Sequence, residues 1–158
     1  TFETVQFLTR AGARGFTPYT FYLKCGVVLM TRGVAVRILL VEDDEDLRTE
    51  IREYLQRRGH DVTACGSLDD ARAAVRRLAA RNTVAEAIVC DVNLPDGNGI
   101  DFYAASAAEL PACRWVLMSG AHDAARIDGL SAEKGLPRCT IVEKPMSLRI
   151  LNGALNRM

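Results

Sequence analysis

From residue 36 onwards the sequence alternates short apolar runs with amphipathic stretches, and this alternation repeats five times. The apolar runs are rich in β-branched residues and are typical of buried strands, whereas the stretches between them carry apolar side chains at helical spacing. Strands and helices in alternation predict parallel strands joined by right-handed crossovers. The predicted strands are Val36–Val41, His60–Cys65, Ala87–Cys90, Trp115–Met118 and Cys139–Val142. The sequence therefore predicts an α/β fold whose parallel sheet is covered on both faces.

Five helices are predicted between and after these strands. The first begins after Asp44 and stops at Gly59, and the second begins after Ser67 and ends near Arg81. Aspartate and serine are favoured N-caps, and a glycine just past the last turn ends a helix. The other three are predicted over Ile100–Glu109, Asp123–Lys134 and Met146–Arg157.

Composition narrows the class of protein. The 158 residues include 20 basic and 20 acidic side chains, whereas a nucleic-acid module normally carries a basic excess. No stretch approaches the ~20 apolar residues that a membrane-spanning helix needs. The five cysteines are widely spaced and form no C-x-x-C pair, which favours reduced thiols over disulfides or a zinc site. We therefore expect a cytoplasmic globular protein that binds neither nucleic acid nor membrane.

Charge and pattern change near residue 35. Residues 1–34 carry four basic groups and one acidic group, and glycines interrupt any regular period there. The regular alternation of apolar and amphipathic segments lies in residues 35–158. We expect 35–158 to form one domain and 1–34 to be an extension, either disordered or lying upstream of a true start near Met30.

Polar side chains stand directly after four of the predicted strands. Glu42 and Asp43 follow the first strand, Asp91 the third, Ser119 the fourth and Lys144 the fifth. Because the carboxyl ends of parallel strands meet at one edge of a sheet, these groups are expected to lie together. Carboxylates suit a divalent cation such as Mg²⁺, and an ammonium and a hydroxyl suit phosphoryl oxygens. With no arginine to compensate them, the clustered carboxylates should repel one another.

Each of these features also has a purely structural explanation. The acidic run over 42–46 could favour the positive N-terminal end of the first helix. The loop over 91–99 contains Pro-Asp-Gly and Asn-Gly, which are strong turn signals. Ser119 could cap a helix, and Lys144 could be a solvated surface charge. Four matches, in order, at four strand ends argue against coincidence.

Four segments occur in the order and spacing of a known family. They are ILLVEDDEDLR at 38–48, CDVNLPDGNG at 90–99, MSG at 118–120 and EKP at 143–145. With these motifs, residues 36–158 resemble a receiver domain of a two-component response regulator. The resemblance implies a flavodoxin-like (βα)5 fold, that is, a doubly wound five-stranded parallel sheet with strand order 2-1-3-4-5.

The resemblance also implies a metal site and a phosphorylation site. Asp91 would be the phosphoacceptor, its carboxylate attacking phosphorus to form an acyl phosphate. Asp43 would bind Mg²⁺ directly, and Glu42 would act mostly through a bound water. Asp91 itself and the backbone carbonyl of Asn93 would complete the protein ligands.

Further roles follow from the resemblance for residues on the last two strands. Lys144 would pair with the phosphoryl oxygens, Ser119 would turn its hydroxyl towards them after transfer, and Pro145 would follow a cis peptide bond. The family usually has an aromatic residue three positions before the lysine, as a rotamer partner of the hydroxyl residue. This chain has Ile141 there. We therefore expect a switch without an aromatic side-chain signal.

The resemblance implies a regulatory phosphoacceptor domain rather than an enzyme. The donor would be a histidine kinase or a histidine phosphotransfer protein, and the downstream partner is not identified by the sequence. Alternatives are the C-terminal receiver of a hybrid histidine kinase and an interaction module that needs no phosphorylation. A Mg²⁺-dependent phosphatase with an aspartate nucleophile is a further alternative. Such enzymes need a carboxylic acid two residues after the nucleophile, where this chain has Asn93.

Overall fold

A five-stranded parallel sheet organises the part of the chain that carries the motifs. The computed structural model describes residues 20–23, 26–29, 35–120, 123, 127, 135–136 and 139–156. The sheet strands are β3 (Arg37–Val41), β4 (Asp61–Cys65), β5 (Ala87–Asp91), β8 (Arg114–Ser119) and β9 (Cys139–Glu143). Their order across the sheet is β4-β3-β5-β8-β9, with every neighbouring pair parallel. Counted along these five strands the order is 2-1-3-4-5, which confirms the predicted fold class.

Four helices are described, and two of them begin at the predicted caps. They are α1 (Glu45–Arg57), α2 (Leu68–Ala80), α3 (Gly99–Ser106) and α4 (Leu148–Asn156). The Asp44 carboxylate accepts the Leu47 N–H of α1, and the Ser67 hydroxyl accepts the Asp70 N–H of α2. Both bonds satisfy an N–H that has no partner within its own helix. The helix predicted over 123–134 lies outside the described residues, apart from two isolated positions.

The last two helices are shorter than predicted, for local reasons. Helix α3 ends at Ser106 rather than 109. The Glu109 N–H donates to the Ser106 carbonyl three residues back, the spacing of a tight turn, and Pro111 soon after cannot continue a helix. Helix α4 begins at Leu148 rather than 146, where the Ser147 hydroxyl accepts a backbone N–H of the first turn.

Two short antiparallel pairs accompany the main sheet. Within residues 1–34, strand β1 (Thr20–Leu23) pairs with β2 (Gly26–Leu29). After β5, strand β6 (Asn93–Leu94) pairs with β7 (Gly97–Asn98) across a two-residue turn. We call residues 93–98 the β6–β7 hairpin. It lies within the loop that the sequence predicted as a turn-rich segment.

The apolar core has two layers, one on each face of the sheet. Alternate residues of the central strands point to opposite faces, as the two-residue period of a strand requires. Leu39, Ile88 and Trp115 belong to the layer beneath α2 and α3, whereas their neighbours pack beneath α1 and α4. The five residues of β5 are all buried, as expected of a strand with helices above and below. This packing holds the carboxyl ends of β3 and β5 side by side.

Candidate functional site

The predicted site residues lie together at the carboxyl edge of the sheet. Glu42 and Asp43 follow β3 directly, and Asp91 and Ser119 are the last residues of β5 and β8. Lys144 follows β9, and its backbone N–H donates to the Ser119 carbonyl at 2.8 Å. Strands β3 and β5 are neighbours. The chain goes from β3 to β4 on one side of this pair and from β5 to β8 on the other. This topological switch point is where open α/β sheets bind ligands.

Three carboxylates form the centre of the site. One oxygen from each of Glu42, Asp43 and Asp91 lies within 4.8 Å of the others. Glu42 and Asp91 are buried, whereas Asp43 is exposed to solvent. Two carboxylates of the site are therefore shielded from solvent, and the third is open to it.

The Lys144 ammonium lies between the two buried carboxylates. Its Nζ is 2.8 Å from Oε2 of Glu42 and 2.5 Å from Oδ2 of Asp91. The expected repulsion between the carboxylates is therefore offset by a lysine ammonium, which comes from a strand end more than fifty residues further along the chain. Burial raises the pKa of Glu42, although the bond from Lys144 opposes that shift. Burial lowers the pKa of Lys144, but its bonds to Asp91 and Glu42 outweigh that effect and the pKa is raised.

The Ser119 hydroxyl is the unsatisfied group of the site. It is buried, and its Oγ has no hydrogen-bond partner among the residues that the structure describes. A buried hydroxyl without a partner costs about 1–3 kcal/mol. Ile141 lies half-buried on β9 and pairs with Leu117, two positions before Ser119 on β8. A hydrogen-bond acceptor that binds at the strand ends would therefore give the Ser119 hydroxyl the partner it lacks, which would remove this cost.

The loop after Asp91 is held close to the Asp91 carboxylate. The Asn93 N–H donates to Oδ1 of Asp91 at 3.2 Å, and the Gly99 N–H donates to the Val92 carbonyl at 2.8 Å. A Cβ at Gly99 would collide with the Asp91 carbonyl oxygen. The two ends of the loop therefore meet at Gly99, where only glycine fits. On the far side of the site, the peptide bond before Pro145 is cis, as the resemblance implied.

The carboxylate cluster fits a small hard cation. Oxygens that surround Mg²⁺ at about 2.1 Å in an octahedron are at most about 4.2 Å apart. The three oxygens lie within 4.8 Å of one another, so they can face one ion, although adjacent oxygens in its shell would lie only about 3 Å apart. All three donors are carboxylate oxygens, the ligand type that Mg²⁺ prefers.

Two residues that sequence reasoning missed support this edge of the sheet. Arg48 donates from Nη1 to the carbonyls of Glu42 and Asp43, at 2.7 and 2.9 Å. Asp96, in the β6–β7 hairpin, accepts two backbone N–H groups from the start of α2. The signal for Arg48 was its place on α1, one turn after the acidic run. Asp96 gave no separate signal, because the Pro-Asp-Gly turn already accounted for an aspartate there.

The fold and the acidic edge define the class of protein. They describe a doubly wound α/β domain with three carboxylates and a lysine ammonium at its switch point. A family model of the response regulator receiver domain matches residues 38–156. The chain belongs to this family and is a receiver domain of the response regulator type.

Individual relatives agree with the family assignment. The transcriptional regulatory protein AruR of Pseudomonas aeruginosa is 31% identical over 64 residues, which are 40% of this chain and 26% of AruR. The aligned stretch thus spans about a quarter of that relative. The receiver domain of HemR from Leptospira biflexa is 28% identical, with a TM-score of 0.62 over 77% of this chain and 92% of that one.

A more distant structure shows the same fold. The CheY-like receiver domain protein of Methanospirillum hungatei is 20% identical, with a TM-score of 0.64 over 77% of this chain and 90% of that one. Among the residues that the structure describes, no helix combines the length and apolar character needed to cross a membrane.

Proposed function

We propose that this domain accepts a phosphoryl group on Asp91 and thereby switches the binding of a partner. The observation that carries the proposal is the placement of the Asp91 carboxylate, which contacts the Lys144 ammonium and lies beside two further carboxylates at the switch point. In the transfer, an Asp91 oxygen forms a bond to phosphorus while the bond from phosphorus to the donor's imidazole nitrogen breaks. The product is an acyl phosphate on Asp91 and a free histidine on the donor.

Asp43 and Asp91 are proposed to hold Mg²⁺ directly, with the Asn93 carbonyl as a third ligand and Glu42 acting through water. The ion would neutralise negative charge on the transferred phosphoryl oxygens. The support for this assignment is the set of three carboxylate oxygens within 4.8 Å of one another.

Lys144 and Ser119 are proposed to contact the transferred group. The ammonium already lies 2.5 Å from Asp91, so it can pass to a phosphoryl oxygen with little movement. The buried Ser119 hydroxyl would gain the acceptor that it lacks among the described residues. Because Ile141 has no aromatic ring, the response should run through the backbone of β8 and β9 rather than through a ring rotamer.

The donor is proposed to be a histidine kinase or a histidine phosphotransfer protein. We propose residues 35–158 as the receiver unit, with 1–34 as an extension outside it. A reducing compartment such as the cytoplasm suits the buried free thiols of Cys65, Cys90 and Cys113. Their pKa values are raised by burial, so they are poor nucleophiles.

The test is phosphorylation by a small acyl phosphate donor with Mg²⁺, followed by intact-mass measurement. The parent protein should gain one phosphoryl group and Asp91→Asn none. Asp46→Asn makes the same substitution at an exposed position on α1 and should behave as the parent does. A full adduct on Asp91→Asn would place the phosphoacceptor elsewhere and refute the proposal.

A further inference from the structure

The carboxylate of Asp96 connects two loops that are distant in sequence. Its Oδ1 accepts the Leu68 N–H at 3.0 Å, and its Oδ2 accepts the Asp69 N–H at 2.9 Å. These are the first two residues of α2, whose N–H groups have no partner within the helix. The Leu68 N–H bond is the main reason that the pKa of Asp96 is lowered. The β6–β7 hairpin is thus attached to α2 by a charge-assisted pair of bonds.

Close packing accompanies these two hydrogen bonds. Gly97 has φ +154°, and a Cβ at this position would lie 2.9 Å from Cδ1 of Leu68. Leu68 is itself buried in the core layer beneath α2. The hairpin backbone therefore rests directly on the first residue of α2, with no space between them for a side chain.

The other end of the same hairpin lies at the reactive carboxylate. Asn93 pairs with Asn98 and Leu94 with Gly97, so the two arms of the hairpin are joined by backbone hydrogen bonds. The Asn93 N–H donates to Oδ1 of Asp91. A displacement of the turn at Asp96 is therefore transmitted to the backbone of Asn93 and to the orientation of the Asp91 carboxylate.

We infer that Asp96 is a positioning residue for the cation and phosphoacceptor site. By attaching the β6–β7 hairpin to α2, it holds the Asn93 carbonyl and the Asp91 carboxylate in the arrangement that a divalent cation requires. Asp96 does not itself contact the cation. The inference deepens the proposed function and rests on it, because it assumes that these two residues are ligands.

The start of α2 offers a matched control. The Ser67 hydroxyl accepts the Asp70 N–H at 3.1 Å, which is a capping bond of the same helix terminus without a link to the hairpin. Ser67→Ala therefore weakens the helix start and leaves the hairpin attached. Asp70→Asn removes one negative charge from the same turn and leaves both capping bonds intact. Together the two variants separate attachment of the hairpin from helix stability and from net charge.

The experiment measures binding of Mn²⁺, used as a paramagnetic substitute for Mg²⁺, by the electron paramagnetic resonance of the free ion. We expect Asp96→Ala to weaken Mn²⁺ binding by about tenfold, in the range found for residues that support metal ligands. Asp96→Asn retains one acceptor oxygen and should give an intermediate loss. Ser67→Ala and Asp70→Asn should stay within about twofold of the parent, and the loss in Asp96→Ala should persist at high salt, where surface charge is screened.

A second measurement tests positioning directly. The rate of phosphorylation of Asp96→Ala by the acyl phosphate donor should fall at low Mg²⁺ and return towards the parent rate at saturating Mg²⁺. Circular dichroism establishes that each variant is folded, and Asp96→Asn serves if Asp96→Ala is not. Equal Mn²⁺ affinities for Asp96→Ala and Ser67→Ala, or for Asp96→Ala and Asp70→Asn, overturn the inference. A parent protein that binds no Mn²⁺ refutes the proposed function itself, and the two failures are therefore distinguishable.

Discussion

Lys144 offers the sharpest test of how the negative charge of the site is compensated when no metal ion is bound. Its ammonium bonds to Glu42 and Asp91, whose side chains are only 2% and 9% exposed. Lys144→Met retains most of the apolar stem and removes the charge. The variant leaves two buried carboxylates without the cation that compensates them, so the folded state should lose stability.

The size of the loss follows from the burial of the three groups. Removing one partner of a buried ion pair costs about 3–5 kcal/mol. The side chain of Lys144 is 27% exposed, which places the expected loss at the lower end, about 3 kcal/mol. For a domain of about 120 residues, roughly 4 °C per kcal/mol gives a decrease in Tm of about 12 °C.

Mg²⁺ should reverse much of this loss. In the parent, the ion must bind beside the Lys144 ammonium, and Coulomb repulsion between unit charges ~4 Å apart is about 1 kcal/mol even in bulk water. For a divalent ion the repulsion is larger, so its removal should tighten Mg²⁺ binding by at least about tenfold, or about 1.4 kcal/mol. Urea unfolding of parent and variant, with and without saturating Mg²⁺, measures this coupling as a thermodynamic cycle.

The matched control is Arg149→Met, which also replaces a cation by methionine but does so at an exposed position of α4, outside the site. Its stability should change by less than about 0.5 kcal/mol, with or without Mg²⁺. If Lys144→Met loses the same free energy of unfolding in both conditions, the ammonium and the ion do not compete for these carboxylates. The electrostatic account of the site would then be wrong.

Three further predictions concern the proposed metal ligand Asp43, the loop after Asp91 and the opposite end of the sheet. Asp43→Ala should lose most of the rise in Tm that Mg²⁺ gives the parent, as measured by thermal unfolding. Gly99→Ala should lower stability to urea by about 1–3 kcal/mol, because its Cβ meets the Asp91 carbonyl oxygen, whereas Gly120→Ala has no atom within 4 Å and should be neutral. Burial lowers the pKa of His60, so the folded state binds fewer protons than the unfolded state and stability should fall as the pH drops below about 6.5. Urea unfolding at about pH 7.5 and about pH 5.5 measures that slope, which His60→Gln should flatten.

Much of the fold was predictable because its signals are local. Asp44 and Ser67 cap α1 and α2 as predicted, since a capping residue acts on N–H groups only two or three positions away. The end of α3 and the start of α4 were placed less well. A tight turn before Pro111 ends α3, and the Ser147 hydroxyl caps α4; apolar spacing carries no information about either.

The location of the site was predictable because topology alone brings four strand ends together. The sequence did not show that the lysine ammonium bonds directly to the two buried carboxylates. Lys144 and Glu42 are 102 positions apart and follow β9 and β3, which β5 and β8 separate in the sheet, so their bond depends on the whole sheet being formed. The absence of an arginine therefore predicted mutual repulsion in an acidic cluster that the Lys144 ammonium partly neutralises.

Strand β4 contributes no side chain to the site, but the segment that follows it supports the site. The carboxylates, the hydroxyl and the ammonium of the site stand at the carboxyl ends of β3, β5, β8 and β9, and none of them stands at the end of β4. The segment after β4 nevertheless contacts both acidic loops. At Gly66 a Cβ would lie 3.3 Å from the Arg48 guanidinium that holds the carbonyls after β3, and two residues later the α2 backbone receives Asp96 from the hairpin after β5. Because both supports meet on this one segment, the relative position of the two acidic loops depends on a part of the chain that carries no chemistry of its own.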